Sequence, residues 1–86
     1  MKYEIRYTSA FIRNLKQFKK SKNLLIELKK VIKSLEKNPN NKGKQLRKNL
    51  FPNKSIRILK KYRLIFEIKE NTVFLKAIGH RENIYK

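Results

Sequence analysis

The stretch YRLIFEIKENTVFLKAIG, residues 62–79, decides the fold. Apolar and polar side chains alternate from Tyr62 to Lys69 and again from Thr72 to Gly79, as they do in half-buried β-strands. Glu70–Asn71 between the two runs suits a tight hairpin turn. A third run, Ser55 to Leu59, alternates in the same way just upstream. The sequence therefore predicts a meander of three antiparallel strands.

The N-terminal part of the chain predicts one strand and two helices. The strand covers Tyr3 to Tyr7, and Thr8 or Ser9 can then cap a helix through a side-chain hydroxyl. Ser21 can cap the second helix after a short break near Lys20–Lys22. Both helices carry an apolar stripe, formed by Phe11, Leu15 and Phe18 in the first and by Leu24, Leu28, Val31 and Leu35 in the second. The turn Asn38–Pro39–Asn40–Asn41 ends this helical hairpin.

This order of elements predicts an α+β fold in a single domain of residues 1–86, with the helices on one face of a twisted four-stranded sheet. The helices are expected to cover Ile56, Ile58, Leu64, Phe66, Val73 and Leu75. The other face is expected to show Arg57, Arg63 and Lys76 between Leu59, Ile65, Phe74 and Ile78. A face that is both cationic and apolar suits a docking surface, unless a terminal segment or a second copy covers it.

The segment 42–54, between the helices and the meander, is predicted to be irregular. It is rich in cations, namely Lys42, Lys44, Arg47, Lys48 and Lys54. Leu46, Leu50 and Phe51 are expected to pin it to the body of the protein.

The charge of the chain points to a polyanionic partner. Its 86 residues contain 24 Lys and Arg but 6 acidic residues, which gives a net charge of +18. Nucleic acid is the favoured partner, because neutralising phosphates releases counterions without any need for sequence recognition. An acidic protein would use the same field, and a solvated lysine-rich surface is the plain alternative. The 40% hydrophobic content is enough for a packed domain.

Several classes of protein are excluded or disfavoured by composition. The absence of cysteine excludes disulfides, thiol catalysis and cysteine-bound zinc, and a single histidine argues against a histidine-based metal site. We therefore expect no metal and no cofactor. No apolar run exceeds three residues and no secretory signal opens the chain, so we expect a cytoplasmic protein with no membrane partner.

The chain resembles the RelE/ParE superfamily of toxins from bacterial and archaeal toxin–antitoxin pairs. The resemblance is carried by the strand Tyr62 to Ile68, the hairpin after it, and the motif Gly79-His80-Arg81-Glu82-Asn83-Ile84-Tyr85 at the matching spacing. Pro39, followed by Lys44-Gln45-Leu46, and the opening strand and helices agree with it, so the likeness covers nearly the whole chain.

For the RelE branch, the resemblance implies a metal-independent endoribonuclease that cuts mRNA in the A site of a 70S-type ribosome. It also implies a cognate antitoxin, RelB-like and acidic or amphipathic, which we expect over Leu59, Ile65, Phe74 and Ile78 or along the helices. A ParE-like chain would instead inhibit DNA gyrase without nuclease activity. A third hypothesis is an RNA-binding or ribosome-binding module without catalysis. The high positive charge favours the RelE branch.

Such an enzyme lets the 2′-hydroxyl of the RNA attack the neighbouring phosphate, which requires charge stabilisation and two proton transfers. The resemblance implies that Arg63 clamps the scissile phosphate beside Arg57, although Arg63 could instead pair with Glu67 on the same strand face. Arg81 is expected to stabilise the transition state or assist the leaving group, unless it merely bridges a nearby carboxylate. Tyr85 is expected to stack on or orient a base, or else to pack the end of the chain.

The resemblance leaves the proton-transfer groups open. His80 is either an acid or base or a structural imidazole. The lysine that the family offers as general base falls on Lys54 in one alignment and on Ser55 if the strand register is respected. Lys42, Lys44, Arg47 and Lys48 are expected to meet ribosomal RNA, or to form a solvated loop.

Overall fold

The computed structural model describes residues 2–85; Met1 and Lys86, the two ends of the predicted domain, lie outside the described residues. The strands are β1 (Glu4–Tyr7), β2 (Lys44–Gln45), β3 (Lys54–Ile58), β4 (Tyr62–Lys69) and β5 (Thr72–His80). The helices are α1 (Ser9–Leu15) and α2 (Lys22–Lys37), with 3₁₀ turns at Lys16–Phe18, Pro39–Asn41 and Lys48–Leu50. Within this part of the chain, no helix is long and apolar enough to cross a membrane.

The start of α1 is tied to the sheet by its capping residue. Thr8 accepts a hydrogen bond from the amide of Phe11 at 3.2 Å and donates its hydroxyl proton to the carbonyl of Leu75 at 2.7 Å. One side chain therefore satisfies a free helix amide and fixes α1 on β5. Ser21, the predicted cap of α2, makes no such side-chain hydrogen bond.

The predicted α+β architecture is confirmed, with one strand more than expected. The sheet order is β1-β5-β4-β3-β2, in which β1 pairs with β5 in parallel and all other pairs are antiparallel. The additional strand, β2, lies in the segment predicted to be irregular and pairs Lys44 with Ser55 and Gln45 with Lys54. Two residues are too few to show an alternating pattern, so the sequence carried no signal for it.

The core lies between the helices and one face of the sheet. Its buried members are Phe11, Leu24, Leu28 and Leu35 from the helices and Ile58, Leu64, Phe66, Val73, Leu75 and Ile78 from the strands. The predicted core face is confirmed for these strands, and Ile56 packs against it while half-buried.

A β-bulge corrects the predicted position of Ile78. Ile65 pairs with Ala77 whereas Phe66 pairs with Leu75, so Lys76 is an extra residue in β5. The extra residue reverses the alternation beyond it, and Ile78 turns into the core, where it is 1% exposed. The prediction that Ile78 lies on the open face is therefore wrong, because strict alternation was assumed through the bulge.

Candidate active site

The face of the sheet opposite the helices brings two arginines together. Ile56 and Ile58 point towards the helices, so the alternating residues of β3, Ser55 and Arg57, lie on the open face. Arg57 is the direct antiparallel partner of Arg63 on β4. Side chains in such positions are neighbours, with about 4.5–5.5 Å between their Cβ atoms. The sheet therefore places the two arginine side chains next to each other, and Nη1 of Arg63 donates to the carbonyl of Tyr62 at 3.2 Å.

The two arginines lie in a cleft of about 500 Å³, which we call the basic cleft. Its lining residues are Gly43, Lys44, Leu46, Leu50, Ser55, Arg57, Arg63 and Tyr85. Lys44 adds a third cation from β2, the strand that the sequence did not predict. Residues from β2, β3, β4 and the C-terminal end thus converge on one concavity.

Tyr85 reaches the basic cleft because the chain turns back after β5. The amides of Asn83 and Ile84 both donate to the carbonyl of His80, and the hydroxyl of Tyr85 then donates to Oγ of Ser55 at 2.7 Å. Tyr85 as a whole residue remains 42% exposed. One end of the side chain is therefore anchored while a substantial part of the residue stays open to a ligand.

Gly43 makes room at the rim of the basic cleft. Its φ of +70° is unfavourable for other residues, and a Cβ atom there would lie 2.6 Å from the backbone oxygen of Ser55. β2 can approach β3 this closely only because residue 43 has no side chain. Gly43, Leu46, Leu50 and Ser55 were not predicted as site residues, and the glycine between Lys42 and Lys44 was the one local signal for a turn.

The cations of the basic cleft have no acidic neighbours to neutralise them. Among residues 2–85 the ion pairs join Arg6 to Glu4, Lys30 to Glu27 and Lys76 to Glu67, so none involves Arg57 or Arg63. Glu67, the alternative partner suggested for Arg63, lies 2.6 Å from the ammonium of Lys76. The sequence contains no acidic residue between Glu36 and Glu67, so β2, β3 and the loop that joins them carry no carboxylate.

Lys54 lies on the face of β3 that the helices cover, opposite the face that carries Arg57. Its Nζ donates to the carbonyl of Pro39 at 3.3 Å and of Asn40 at 2.9 Å, and it stands 5.9 Å from the centre of the Phe66 ring. Burial lowers the pKa of the Lys54 ammonium below its ordinary value. In the register of β3, Ser55 rather than Lys54 shares the face of Arg57.

His80 also lies outside the basic cleft. Its ring packs edge-on against Tyr62, with the centroids 5.9 Å apart, and Tyr62 packs in the same way against Phe18 of the helical side. The amide of Glu82 donates to Nδ1 of His80 at 3.3 Å. The bulge at Lys76 is the reason for this placement, since it turns His80 to the same face as Ile78.

The remaining predicted residues, Arg81, Lys42, Arg47 and Lys48, lie outside the lining of the basic cleft. Arg81 directly follows β5, is exposed, and donates its amide to the carbonyl of Lys61 at 2.7 Å, but it does not belong to the lining described above. Lys42 is half-buried, whereas Arg47 and Lys48 are exposed on the loop beside the cleft. The structure thus brings together Lys44, Arg57, Arg63 and Tyr85, and it separates Lys54 and His80 from them.

No group of three histidine or acidic side chains in the described part of the chain is placed to hold a metal ion. The chemistry available in the basic cleft is that of guanidinium, ammonium, phenol and hydroxyl groups. Guanidinium groups bind phosphate through paired hydrogen bonds and keep their charge at any physiological pH. The arrangement therefore suits a phosphodiester.

Solved structures of several known toxins have the same fold as this chain. The complex of toxin and antitoxin RelBE2 from Mycobacterium tuberculosis contains a chain that is 28% identical, with a TM-score of 0.79 over 94% of this chain and 100% of that one. YafQ from E. coli strain BL21(DE3) has a TM-score of 0.84 at 15% identity, covering 98% of this chain and 99% of that one. The YoeB–YefM complex from Staphylococcus aureus gives 0.75 at 20% identity, covering 94% and 99%. A search of curated proteins found no match.

The family assignment comes from the sequence as a whole. Residues 5–85 match the model of the ParE toxin of the type II toxin–antitoxin system parDE. The match runs from β1 through all of the elements above to Tyr85, the last residue that lines the basic cleft. The chain therefore belongs to the ParE toxin family, within the RelE/ParE superfamily, and is a type II toxin with the RelE-like fold.

Proposed function

We propose that this toxin is a ribosome-dependent endoribonuclease that cleaves mRNA in the A site. The observation that supports this most directly is the pairing of Arg57 with Arg63 in a cleft free of carboxylates. Like charges placed opposite each other in a sheet destabilise it, so such a pair is expected where an anion separates the charges during function. Guanidinium groups bind phosphate through charge-assisted hydrogen bonds, so a phosphodiester is an anion that suits this pair.

The proposed reaction needs no metal and no water. The 2′-oxygen of the RNA attacks the adjacent phosphorus, the bond from phosphorus to the 5′-oxygen breaks, and a 2′,3′-cyclic phosphate and a 5′-hydroxyl remain. Arg57 and Arg63 stabilise the negative charge that develops on the phosphoryl oxygens. Arg81 is exposed, directly follows β5 and lies two residues after Gly79, the partner of Arg63, so we assign it to the departing 5′-oxygen.

Two protons must move in this reaction, one away from the 2′-oxygen and one to the 5′-oxygen. Lys44 and Tyr85 are the side chains in the lining that can exchange a proton, since the arginines stay charged. We assign the first transfer to the uncharged form of Lys44, which accepts the proton of the 2′-hydroxyl, and the second to the phenol of Tyr85, which donates its proton to the departing 5′-oxygen. Lys54 and His80 receive no step, because both are engaged elsewhere in the structure.

The antitoxin partner is part of the proposal. The RelBE2 and YoeB–YefM structures are complexes of a toxin with an antitoxin. This chain has a net charge of +18, which would attract an acidic antitoxin. Of the residues expected to meet it on the open face, Phe74 is half-buried, but Ile65 is 7% and Ile78 is 1% exposed. Leu59 was also expected on that face, but it lies in the turn after β3, beside Ser21 to Leu24 at the start of α2, and is 43% exposed. We therefore place its apolar contacts at Leu59, between the lysine-rich ends of the strands, and along the helices at Ile12 and Ile26, which are 47% and 55% exposed.

A translation extract with labelled mRNA, with and without ribosomes, tests the proposal. We expect cuts inside codons that require ribosomes and that disappear with Arg63→Ala. Arg13→Ala is the matched control, because Arg13 is an exposed arginine on α1. Absence of cuts in the presence of translating ribosomes, with folded protein, would contradict the proposal. Binding to ribosomes without cuts would support the non-catalytic alternative.

Inhibition of DNA gyrase is the second candidate, because the matching family model is that of a ParE toxin. This activity would work through protein contact and requires no catalytic cleft. A gyrase supercoiling assay separates the two functions. Inhibition that persists with Arg57→Ala and Arg63→Ala would favour the second candidate, and no inhibition at micromolar toxin would favour the nuclease.

A further inference from the structure

The loop between β2 and β3 presents an aromatic ring to solvent. Phe51 was expected to pin this loop to the body, but it is 65% exposed, and no other large hydrophobic residue in the described part of the chain is as exposed. Leu46 and Leu50, the other two residues expected to pin the loop, are half-buried and line the basic cleft. The loop is therefore held by the two leucines, and the phenylalanine is left outside.

The ring sits on a loop with a defined shape. The amide of Leu46 donates to the carbonyl of Asn53 at 3.0 Å, and Nε2 of Gln45 donates to the same carbonyl at 3.0 Å, which closes the base of the loop. Within it, the amides of Leu50 and Phe51 donate to the carbonyls of Arg47 and Lys48, both at 3.1 Å. An exposed ring on a closed loop loses little conformational freedom when a ligand covers it.

The surroundings of Phe51 are cationic and adjoin the basic cleft. Leu50, its direct neighbour, lines the cleft, while Arg47 and Lys48 are exposed on the same loop. No acidic residue occurs from position 37 to position 66, so nothing nearby in the sequence repels a polyanion. Aromatic rings set among cations are the surface that binds unpaired bases, because each base can stack on a ring while its phosphate meets a positive charge.

We propose that Phe51 is a stacking platform for a base of single-stranded RNA next to the phosphate held by Arg57 and Arg63. The inference rests on the proposed function and names a contact that positions its substrate. We assign the phosphates on either side of the stacked base to Arg47, exposed on the same loop, and to Lys44, which lines the basic cleft. The exposed ring, which is unfavourable in the free protein, is covered when RNA binds.

The test measures the affinity for a short fluorescein-labelled RNA whose 2′-hydroxyls are all methylated, so that it cannot be cut. Fluorescence anisotropy is recorded for the wild type, Phe51→Ala, Phe51→Leu and Phe51→Tyr. We expect about 5- to 150-fold weaker binding by Phe51→Ala, which is the range for the loss of one stacked base. Phe51→Leu should be nearly as weak, since it keeps apolar surface but has no ring face, and Phe51→Tyr should bind within about twofold of the wild type.

The salt dependence separates stacking from charge. Phe51→Ala should leave the slope of log affinity against log salt unchanged, whereas Arg47→Gln should reduce it by about 0.7, the value for one phosphate contact on a single strand. Tyr7→Ala is the matched control, because Tyr7 is an aromatic residue that is 51% exposed on β1, at the edge of the sheet opposite β2, and it should change neither affinity nor slope.

Each outcome decides between the two proposals. Weaker binding by Phe51→Ala and Phe51→Leu supports the stacking platform even if the protein cuts no mRNA. Wild-type binding by Phe51→Ala overturns the platform while the nuclease proposal stands on its own assay. The platform is also overturned if the wild type shows no measurable RNA binding. A Phe51→Ala variant that binds RNA normally but fails to bind its antitoxin would assign the ring to a protein contact instead.

Discussion

Arg57 and Arg63 are direct cross-strand partners on the open face of the sheet, and neither forms an ion pair with any residue among positions 2–85. In most sheets such a pair is unfavourable, because like charges in opposed positions repel each other. The nearest carboxylate along β4, that of Glu67, is held by Lys76 from the bulge of β5. The bulge therefore has two effects: it removes a competitor for the arginines and turns His80 away from them.

The first prediction concerns the two arginines. Arg57→Ala and Arg63→Ala should each lower the rate of mRNA cleavage by about 10²–10³-fold, the usual loss when one group that stabilises transition-state charge is removed. The double variant should lose less than the product of the two, because both groups act on one phosphate. Primer extension on translated mRNA measures the rates.

The same variants should not lose stability. Removing one of two opposed charges relieves repulsion, so the melting temperature of Arg63→Ala should equal or exceed that of the wild type. A large drop in melting temperature would show that the arginines hold the sheet together, and the cleavage data would then say nothing about catalysis.

A second prediction concerns Gly43. Gly43→Ala should lower the free energy of unfolding by about 1–3 kcal/mol, because the new Cβ meets the backbone oxygen of Ser55 and the residue must keep a positive φ. Because β2 carries Lys44, cleavage should fall as well. Urea unfolding followed by circular dichroism measures the stability.

Gly79→Ala is the control for this substitution. Its Cβ would lie 3.1 Å from Cδ1 of Ile84, the mobile end of a side chain, and its backbone is not left-handed. The cost should therefore be smaller than at Gly43. Equal losses at both glycines would contradict the argument from backbone contact.

A third prediction separates the two ends of Tyr85. Tyr85→Phe keeps the ring but removes the hydroxyl that donates to Ser55, so it should reduce cleavage by about 10²–10⁴-fold if this hydroxyl transfers a proton. Ser55→Ala removes the acceptor alone and should cost far less activity, since the phenol remains. Similar losses in both variants would mean that the hydrogen bond positions the ring and that the proton moves through another group.

The comparison between sequence and structure shows where local patterns suffice. The strands β3, β4 and β5 and both helices follow from alternation, helical spacing and capping residues, because each pattern is read over several residues. The opposition of Arg57 and Arg63 follows from the same alternation once the hairpin is known. Lys44 was predicted to meet RNA, but its place in the basic cleft and the part played by Gly43 could not be found in this way, since β2 is two residues long and owes its existence to contact with β3.

The misplacement of Ile78 has a single physical origin. One extra residue, Lys76, reverses the faces of everything after it in β5, so Ile78 lies in the core instead of on the open face. A bulge depends on how neighbouring strands twist and pack. The residues directly around Lys76 include no glycine or proline that would indicate one. Phe51 was misplaced for a different reason: hydrophobicity predicts burial on average, and functional surfaces are the exceptions.

The last prediction concerns Lys54, whose pKa is lowered by burial. The charged form is then less favourable in the folded state than in the unfolded state, so the protonated lysine costs stability at pH values below the folded-state pKa. This cost disappears as the pH rises from the folded-state pKa to the ordinary lysine value of about 10.4. The free energy of unfolding of the wild type should therefore increase in this window relative to Lys54→Met, which has no proton to lose.

At neutral pH, Lys54→Met should be less stable than the wild type. The variant loses the two hydrogen bonds that Nζ donates to the carbonyls of Pro39 and Asn40. We expect it to be destabilised by about 0.5–1.5 kcal/mol, the usual net contribution of a hydrogen bond, because water can reach the exposed carbonyl of Asn40 once the ammonium is gone. Cleavage per folded molecule should be unchanged, since Lys54 lies outside the basic cleft. Loss of cleavage in a fully folded Lys54→Met, measured at a temperature well below its melting point, would return this lysine to the list of proton-transfer groups and contradict the assignment to Lys44 and Tyr85.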